Sequence, residues 1–142
     1  MADRRATATW HGSLFEGKGT VTAASSGLFT DAAVTWASRT EDAGGATSPE
    51  ELIAGAQAAC FGMALSNELS SRGHEPAQLR LSATCSFVDG TITTMVLEVS
   101  AEVPGADDAA FREAVEAAEA SCPVSNALRG NVDITVDARL VS

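Results

Sequence analysis

Positive charge is scarce in this sequence. Nine lysines and arginines face nineteen aspartates and glutamates, a formal net charge of −10, and the clearest basic cluster is only Arg4-Arg5. Binding phosphates requires clustered cations, which argues against a nucleic-acid partner and against an anionic membrane surface. Long apolar runs are also missing: none approaches the ~20 residues that span a bilayer as a helix. MADRRATATW lacks the apolar core of a secretory leader, so the expected compartment is cytoplasmic. Cys60, Cys85 and Cys122 are the three cysteines, too few and too scattered for a disulfide-stapled scaffold. No Cys/His spacing suits zinc. Gly44-Gly45 lacks the strand–loop–helix setting of a phosphate cradle. Neither metal nor cofactor is expected.

What is present fits a soluble domain. The 142 residues are 45% hydrophobic and 20% charged, which predicts a single domain over 1–142 with a modest core that association could enlarge. Residues 6–12 and 17–24 read as short strands around a turn at Glu16-Gly17, and Ala33 to Ser38 as a third. SPEELIAGAQAACFGMALSNEL, Ser48 to Leu69, then carries the strongest helix signal. Ser48 suits the N-cap, Pro49 the first helical position, and Glu51 completes a capping box. Apolar residues at 52, 53, 56, 59, 60, 63, 64 and 65 cover a wide face, much of it alanine. Gly73 and Pro76 supply the stop.

Leu79, Leu81, Ala83, Cys85 and Phe87 alternate with polar residues as a half-buried strand does. Asp89-Gly90 signals a hairpin, and Met95 to Val103 alternate in the partner strand. Asp107 or Asp108 can cap a helix that turns Phe111, Ala114, Val115 and Ala118 to one side. Pro123 interrupts it and starts another, and Val132 to Leu140 form a last alternating strand. The order βββ-α-ββ-αα-β predicts an α+β domain, one antiparallel-rich sheet covered by helices.

Cys85 is explained as a small hydrophobe on the apolar face of its strand. Cys60 admits two readings: an inert filler, whose burial would raise its pKa, or a nucleophile activated by a cation from elsewhere in the fold. It lies too far along its helix for the N-terminal dipole to help. Cys122, in SCPVSNAL, sits before Pro123 near a helix N-terminus, where backbone N–H groups favour a thiolate; packing at a kink explains it equally. Glu51 has the capping role. Glu50 has none, and as a first-turn acid it is mildly favourable. His11 and His74 lack an acid in any recognisable motif and read as surface residues rather than partners in a Cys–His hydrolase.

Taken together, SPEELIAGAQAACFGMALSNEL and SCPVSNAL closely resemble the OsmC/Ohr family of thiol peroxidases. WHGSLFEGKGTVT and WASRTED look like its OsmC branch, and the likeness runs over nearly the whole chain. The resemblance implies reduction of organic hydroperoxides by two cysteines, with Cys60 peroxidatic and Cys122 resolving. It further implies Arg39 as activating cation, Glu50 as its acidic partner, a lipoyl-type dithiol as reductant and an intertwined homodimer. Thr40 departs from the pattern, standing where an aromatic residue is expected after the arginine, which bears on the pocket wall. Phe61 and Met63 are compatible with a hydrophobic peroxide.

Spacing adds a point about subunits. In a regular helix, Glu50 and Cys60 lie about 15 Å apart along the axis, too far for one arginine to meet both easily in one chain. If both serve one pocket, Glu50 comes from a second subunit or the helix begins later. Two Ala-rich helices packed antiparallel about a two-fold axis would bring Glu50 of one near Cys60 of the other. The competing readings are a redox-sensing or binding module that uses the same cysteine pair without turnover, and a structural domain with inert thiols.

Overall fold

The computed structural model describes residues 1–141. Among them the chain divides into an N-terminal unit, Met1–Leu52, and a C-terminal unit beginning at Ile53. The fold class is α+β as expected, with the strands in two three-stranded sheets rather than one.

In the N-terminal unit, β1 (Thr7–His11), β2 (Lys18–Thr22) and β3 (Ala32–Val34) form an antiparallel sheet in that order. Gly19 is required where β2 passes beneath Trp10, since a Cβ there would come within 2.5 Å of the indole ring. The third strand is shorter than residues 33–38 suggest. Thr35 ends it by capping a five-residue helix, α1 (Trp36–Thr40), through a reciprocal capping box with Ser38. That local bonding turns the backbone out of the extended path.

Helix α2 (Pro49–Ser71) begins where the sequence places it. The Glu51 amide donates to Ser48 Oγ at 3.1 Å. The Glu51 carboxylate is held by the Thr47 hydroxyl at 2.6 Å, so the acid of the expected capping box bonds one residue earlier in the chain. Within the C-terminal unit, α2 turns Gln57, Phe61, Leu65 and Leu69 inward, an i, i+4 stripe. Met63 remains 75% exposed and Leu52 38%. The inward stripe is thus narrower than the apolar face of the sequence, because alanines make nearly every side of this helix apolar.

β4 (Gln78–Val88) and β5 (Thr91–Glu102) form the expected hairpin. Asp89 and Gly90 both take positive φ, 48° and 78°, as a two-residue hairpin turn demands. Met95, Leu97, Val99 and Ala101 are buried at alternate positions. Gly62 lets α2 approach this hairpin closely, since a Cβ there would meet Leu81 Cδ1 at 3.1 Å. α3 (Asp108–Ser121) is capped by Asp107, which accepts from the Ala110 amide at 2.8 Å. Phe111, Ala114, Val115 and Ala118 are its buried residues. α4 (Pro123–Leu128) follows, and β6 (Asp133–Leu140) returns to pair with β5 in parallel. Parallel pairing needs a long crossover, and α3 and α4 provide it.

Candidate active site

Two residue clusters carry the chemistry, one in each unit. The first is built on α1 and the start of α2. Ser38 Oγ donates to Thr35 O at 2.9 Å and Thr47 O at 2.8 Å, while the Thr47 amide bonds Ala33 O at 2.9 Å. These bonds tie α1 to the segment that opens α2. Arg39, in the last turn of α1, then faces Glu50 in the first turn of α2. Its Nε donates to Oε1 at 2.9 Å and Oε2 at 3.2 Å.

The environment of that ion pair is unequal. The Glu50 side chain is 7% exposed and that of Arg39 28%. An anion at a helix N-terminus is favoured by the dipole and by the unbonded amides of the first turn. The Arg39 guanidinium also lies 5.9 Å from the centre of the Trp36 ring, within cation–π range. Phe15 packs edge-on against Trp36 at 5.6 Å. Arg39 and Trp36, with Trp10, Leu14, Val34 and Pro49, line an open, mainly apolar pocket of about 360 Å³. A planar cation on an apolar wall can hold an anionic or strongly polar atom while the rest of a molecule stays in greasy surroundings.

The second cluster joins α2 to the α3–α4 junction. Cys122 is fully buried, closes α3 and is the N-cap of α4, with Pro123 next. Burial opposes its thiolate. Hydrogen bonds from the Ser125 hydroxyl and amide, the Cys60 thiol and the Val124 amide outweigh that cost, so its pKa lies below the ordinary thiol value. Cys60 is half-buried and moves the other way. Burial raises its pKa, its hydrogen bond with Cys122 raises it further, and the backbone at Val124 offsets this in part. Neither cysteine is in a disulfide, and the two side chains are near enough that each shifts the other's pKa.

Gln57, one turn before Cys60, completes this cluster and went unnoticed in the sequence. Its Nε2 donates to Ser125 Oγ at 2.8 Å and lies 3.6 Å from Cys122 Sγ. Gln57 is fully buried and Ser125 is 2% exposed. The available signal was a lone amide in the small-residue run AGAQAAC.

Of the four residues singled out in the sequence, the structure therefore brings Arg39 to Glu50 and Cys60 to Cys122, each pair within its own unit. Cys85, on β4, is half-buried opposite Met95. His11 ends β1 and is exposed, while His74, after α2, is half-buried.

Comparison with known proteins identifies the family. The family described as OsmC-like protein matches residues 41–137. The chain belongs to this family. It is 38% identical to peroxiredoxin OsmC of Escherichia coli (strain K12), over 98% of this chain and 97% of the relative. It is 33% identical to an organic hydroperoxide resistance protein of Xanthomonas axonopodis pv. citri, over 66% of this chain and 67% of the relative. The crystal structure of an organic hydroperoxide resistance protein OsmC from Legionella pneumophila superimposes with a TM-score of 0.66 at 27% identity, covering 97% of this chain and 98% of that one. Within the OsmC-like family the names of these relatives point to peroxidase-type chemistry.

Proposed function

We propose that this chain is a thiol peroxidase that reduces organic hydroperoxides to alcohols, with residues 1–142 acting as one OsmC-like domain. The observation that carries the reading is the juxtaposition of Cys60 and Cys122, two thiols from distant parts of the sequence, each near enough to shift the other's pKa and neither in a disulfide. The Cys60 thiolate attacks one peroxide oxygen. The O–O bond breaks and the departing alkoxide takes a proton to become the alcohol. Cys60 is left as a sulfenic acid. The Cys122 thiolate then attacks the Cys60 sulfur, expelling hydroxide, which takes a proton to become water, and a disulfide remains. Two electrons have passed from the thiols to the peroxide. A dithiol reductant, of lipoyl type by family resemblance, restores both thiols by exchange.

Cys60 needs a cation for this work, since burial and its neighbour both hold its proton on. Arg39 is the candidate, with its direction set by Glu50. The enzyme works as a homodimer in which the Arg39–Glu50 pair of one subunit serves Cys60 of the other. Two features support this reading: the length of helix separating Glu50 from Cys60, and the outward Met63 and Leu52 of α2, an apolar face suited to a second copy. A reducing, cytoplasmic location fits the two free thiols. No described helix is long and apolar enough to cross a membrane.

One equivalent of cumene hydroperoxide followed by peptide mass mapping tests the chemistry, with Cys85 as the internal control. A Cys60–Cys122 disulfide is expected. Its absence would overturn the proposal. Continued peroxide consumption with dithiol present, lost in Cys60→Ser, separates an enzyme from a sensor that oxidises once and stops.

A further inference from the structure

Gln57 has one more hydrogen-bonding atom than its surroundings satisfy. Its Nε2 is committed to Ser125 Oγ and Cys122 Sγ. Its Oε1 is buried and has no hydrogen-bond partner among the described residues. A buried acceptor without a donor is costly, so an orphan of this kind inside a reactive cluster points to a donor that arises in another state.

The geometry also fixes which end of the amide faces which sulfur. The NH₂ end lies against Cys122 Sγ, the arrangement that suits a sulfur accepting a hydrogen bond. Cys60 follows Gln57 by one helical turn, on neighbouring ground of α2, and its side chain is near enough to Cys122 to shift that thiol's pKa. The amide of Gln57 and the thiol of Cys60 therefore converge on one sulfur atom. Oε1 belongs to the same planar group and is buried, on a residue one helical turn from Cys60.

We infer that Gln57 is a positioning residue for disulfide closure, its NH₂ holding the Cys122 thiolate while its Oε1 receives the O–H of the Cys60 sulfenic acid. This rests on the peroxidase reading above. In the reduced protein the sulfur of Cys60 carries no O–H group. When the thiolate takes an oxygen from the hydroperoxide and is protonated there, a new O–H donor forms beside Oε1, and the orphan is satisfied. The sulfenic oxygen is thereby drawn to one side and the Cys60 sulfur presented to Cys122. Attack forms the S–S bond, breaks the S–O bond and releases hydroxide, which leaves as water after taking a proton. Oε1 loses its donor again at that moment, so the contact acts by orienting the sulfenic acid before attack.

Two measurements test the proposal, one without peroxide and one with it. The first uses Cys60→Ser, Cys85→Ser protein, in which Cys122 is the remaining thiol, titrated by thiolate absorbance without any peroxide. Gln57→Met, similar in volume but without polar hydrogen-bonding groups, should raise the Cys122 pKa by about one unit, a tenfold change and the scale of one hydrogen bond to a charged atom. Gln57→Glu keeps an oxygen, loses the donor and should raise it at least as much, by adding an acid beside a thiolate. Curves that coincide in both variants would overturn the role of the NH₂ end.

The second measurement restores Cys60 and Cys122. After one equivalent of cumene hydroperoxide, dimedone traps Cys60 sulfenic acid in competition with disulfide closure. Gln57→Met should raise the ratio of trapped Cys60 to disulfide by about tenfold, again the scale of one buried hydrogen bond. An unchanged ratio with a moved titration would overturn the role of Oε1. A wild-type chain that forms neither adduct nor disulfide would overturn the peroxidase reading and with it the sulfenic-acid contact, while the peroxide-free titration still decides whether Gln57 holds Cys122.

Discussion

The Arg39 Nε lies 2.9 Å from Glu50 Oε1, and the two side chains are not equally wet: the carboxylate is 7% exposed, the guanidinium 28%. Loss of either partner therefore has different consequences. In Glu50→Gln, Arg39 can lean into water and the amide still offers an oxygen. In Arg39→Met, a carboxylate is left with little solvent to replace its counter-ion.

Arg39→Met should accordingly destabilise the fold by about 1–3 kcal/mol, the cost of stranding a largely buried charged acceptor. Glu50→Gln should cost less than half as much. Urea unfolding of the two variants checks this. Equal losses would mean that the carboxylate is better solvated than its burial implies. Both variants should lose hydroperoxide turnover, since one lacks the cation and the other lacks what orients it.

The thiols give a pH prediction with two opposite signs. Cys122 titrates below the ordinary value in the folded chain and Cys60 above it. For Cys122, the unfolded chain holds the proton more tightly, so stability grows as pH rises from the folded value to the ordinary thiol value. For Cys60 in a subunit without the partner's Arg39, the folded chain holds the proton more tightly, so its contribution is intact below the ordinary value and is lost as pH rises through the folded one. Cys122→Ser should remove the first rise, and Cys60→Ser the later fall. Denaturant midpoints measured across the thiol range follow both; identical profiles for wild type and variants would contradict the assignment.

Much of this fold was legible where the signals are local. Ser48, Pro49 and Gly73 bracket α2, Asp89-Gly90 fixes the β4–β5 hairpin, and Asp107 starts α3, each through bonds made within a few residues. α1 was missed because Thr35 and Ser38 bond reciprocally inside a stretch that otherwise reads as strand. The inward stripe of α2 was blurred by alanine, which carries no clear preference for one face. The division into two sheets, the parallel return of β6, and the meeting of Gln57 with Ser125 depend on contacts between distant segments, which no periodicity records. The same holds for Cys60 and Cys122. Their pairing came from family resemblance, and Gln57, given no role by that resemblance, passed unseen.

Burial separates two apolar residues that look alike in sequence. Phe111 is fully buried, whereas Met63 is 75% exposed within the chain. Phe111→Ala should cost about 3–5 kcal/mol of stability, the usual range for deleting a buried ring. Met63→Glu should change the stability of the isolated subunit by no more than about 0.5 kcal/mol, as expected of an exposed position. If α2 meets a second copy along its outward face, Met63→Glu should instead lower the mass seen in sedimentation from dimer to monomer. A dimer that persists would place the interface elsewhere.

A mixing experiment decides whether the sites are shared. Cys60→Ser protein retains Arg39, and Arg39→Met protein retains Cys60; each is inactive alone under the proposed mechanism. After joint unfolding and refolding, random pairing makes about half of the dimers mixed. If Arg39 of one subunit activates Cys60 of the other, a mixed dimer holds one site with both residues intact and one with neither. The mixture should then recover roughly one quarter of wild-type turnover, since one of the two sites works in about half of the dimers. If Arg39 and Cys60 act within the same chain, every site in every pairing lacks one of them and turnover stays at the level of the separate variants. The residues that set activity are the same in both cases, so the outcome depends only on which chain supplies the cation.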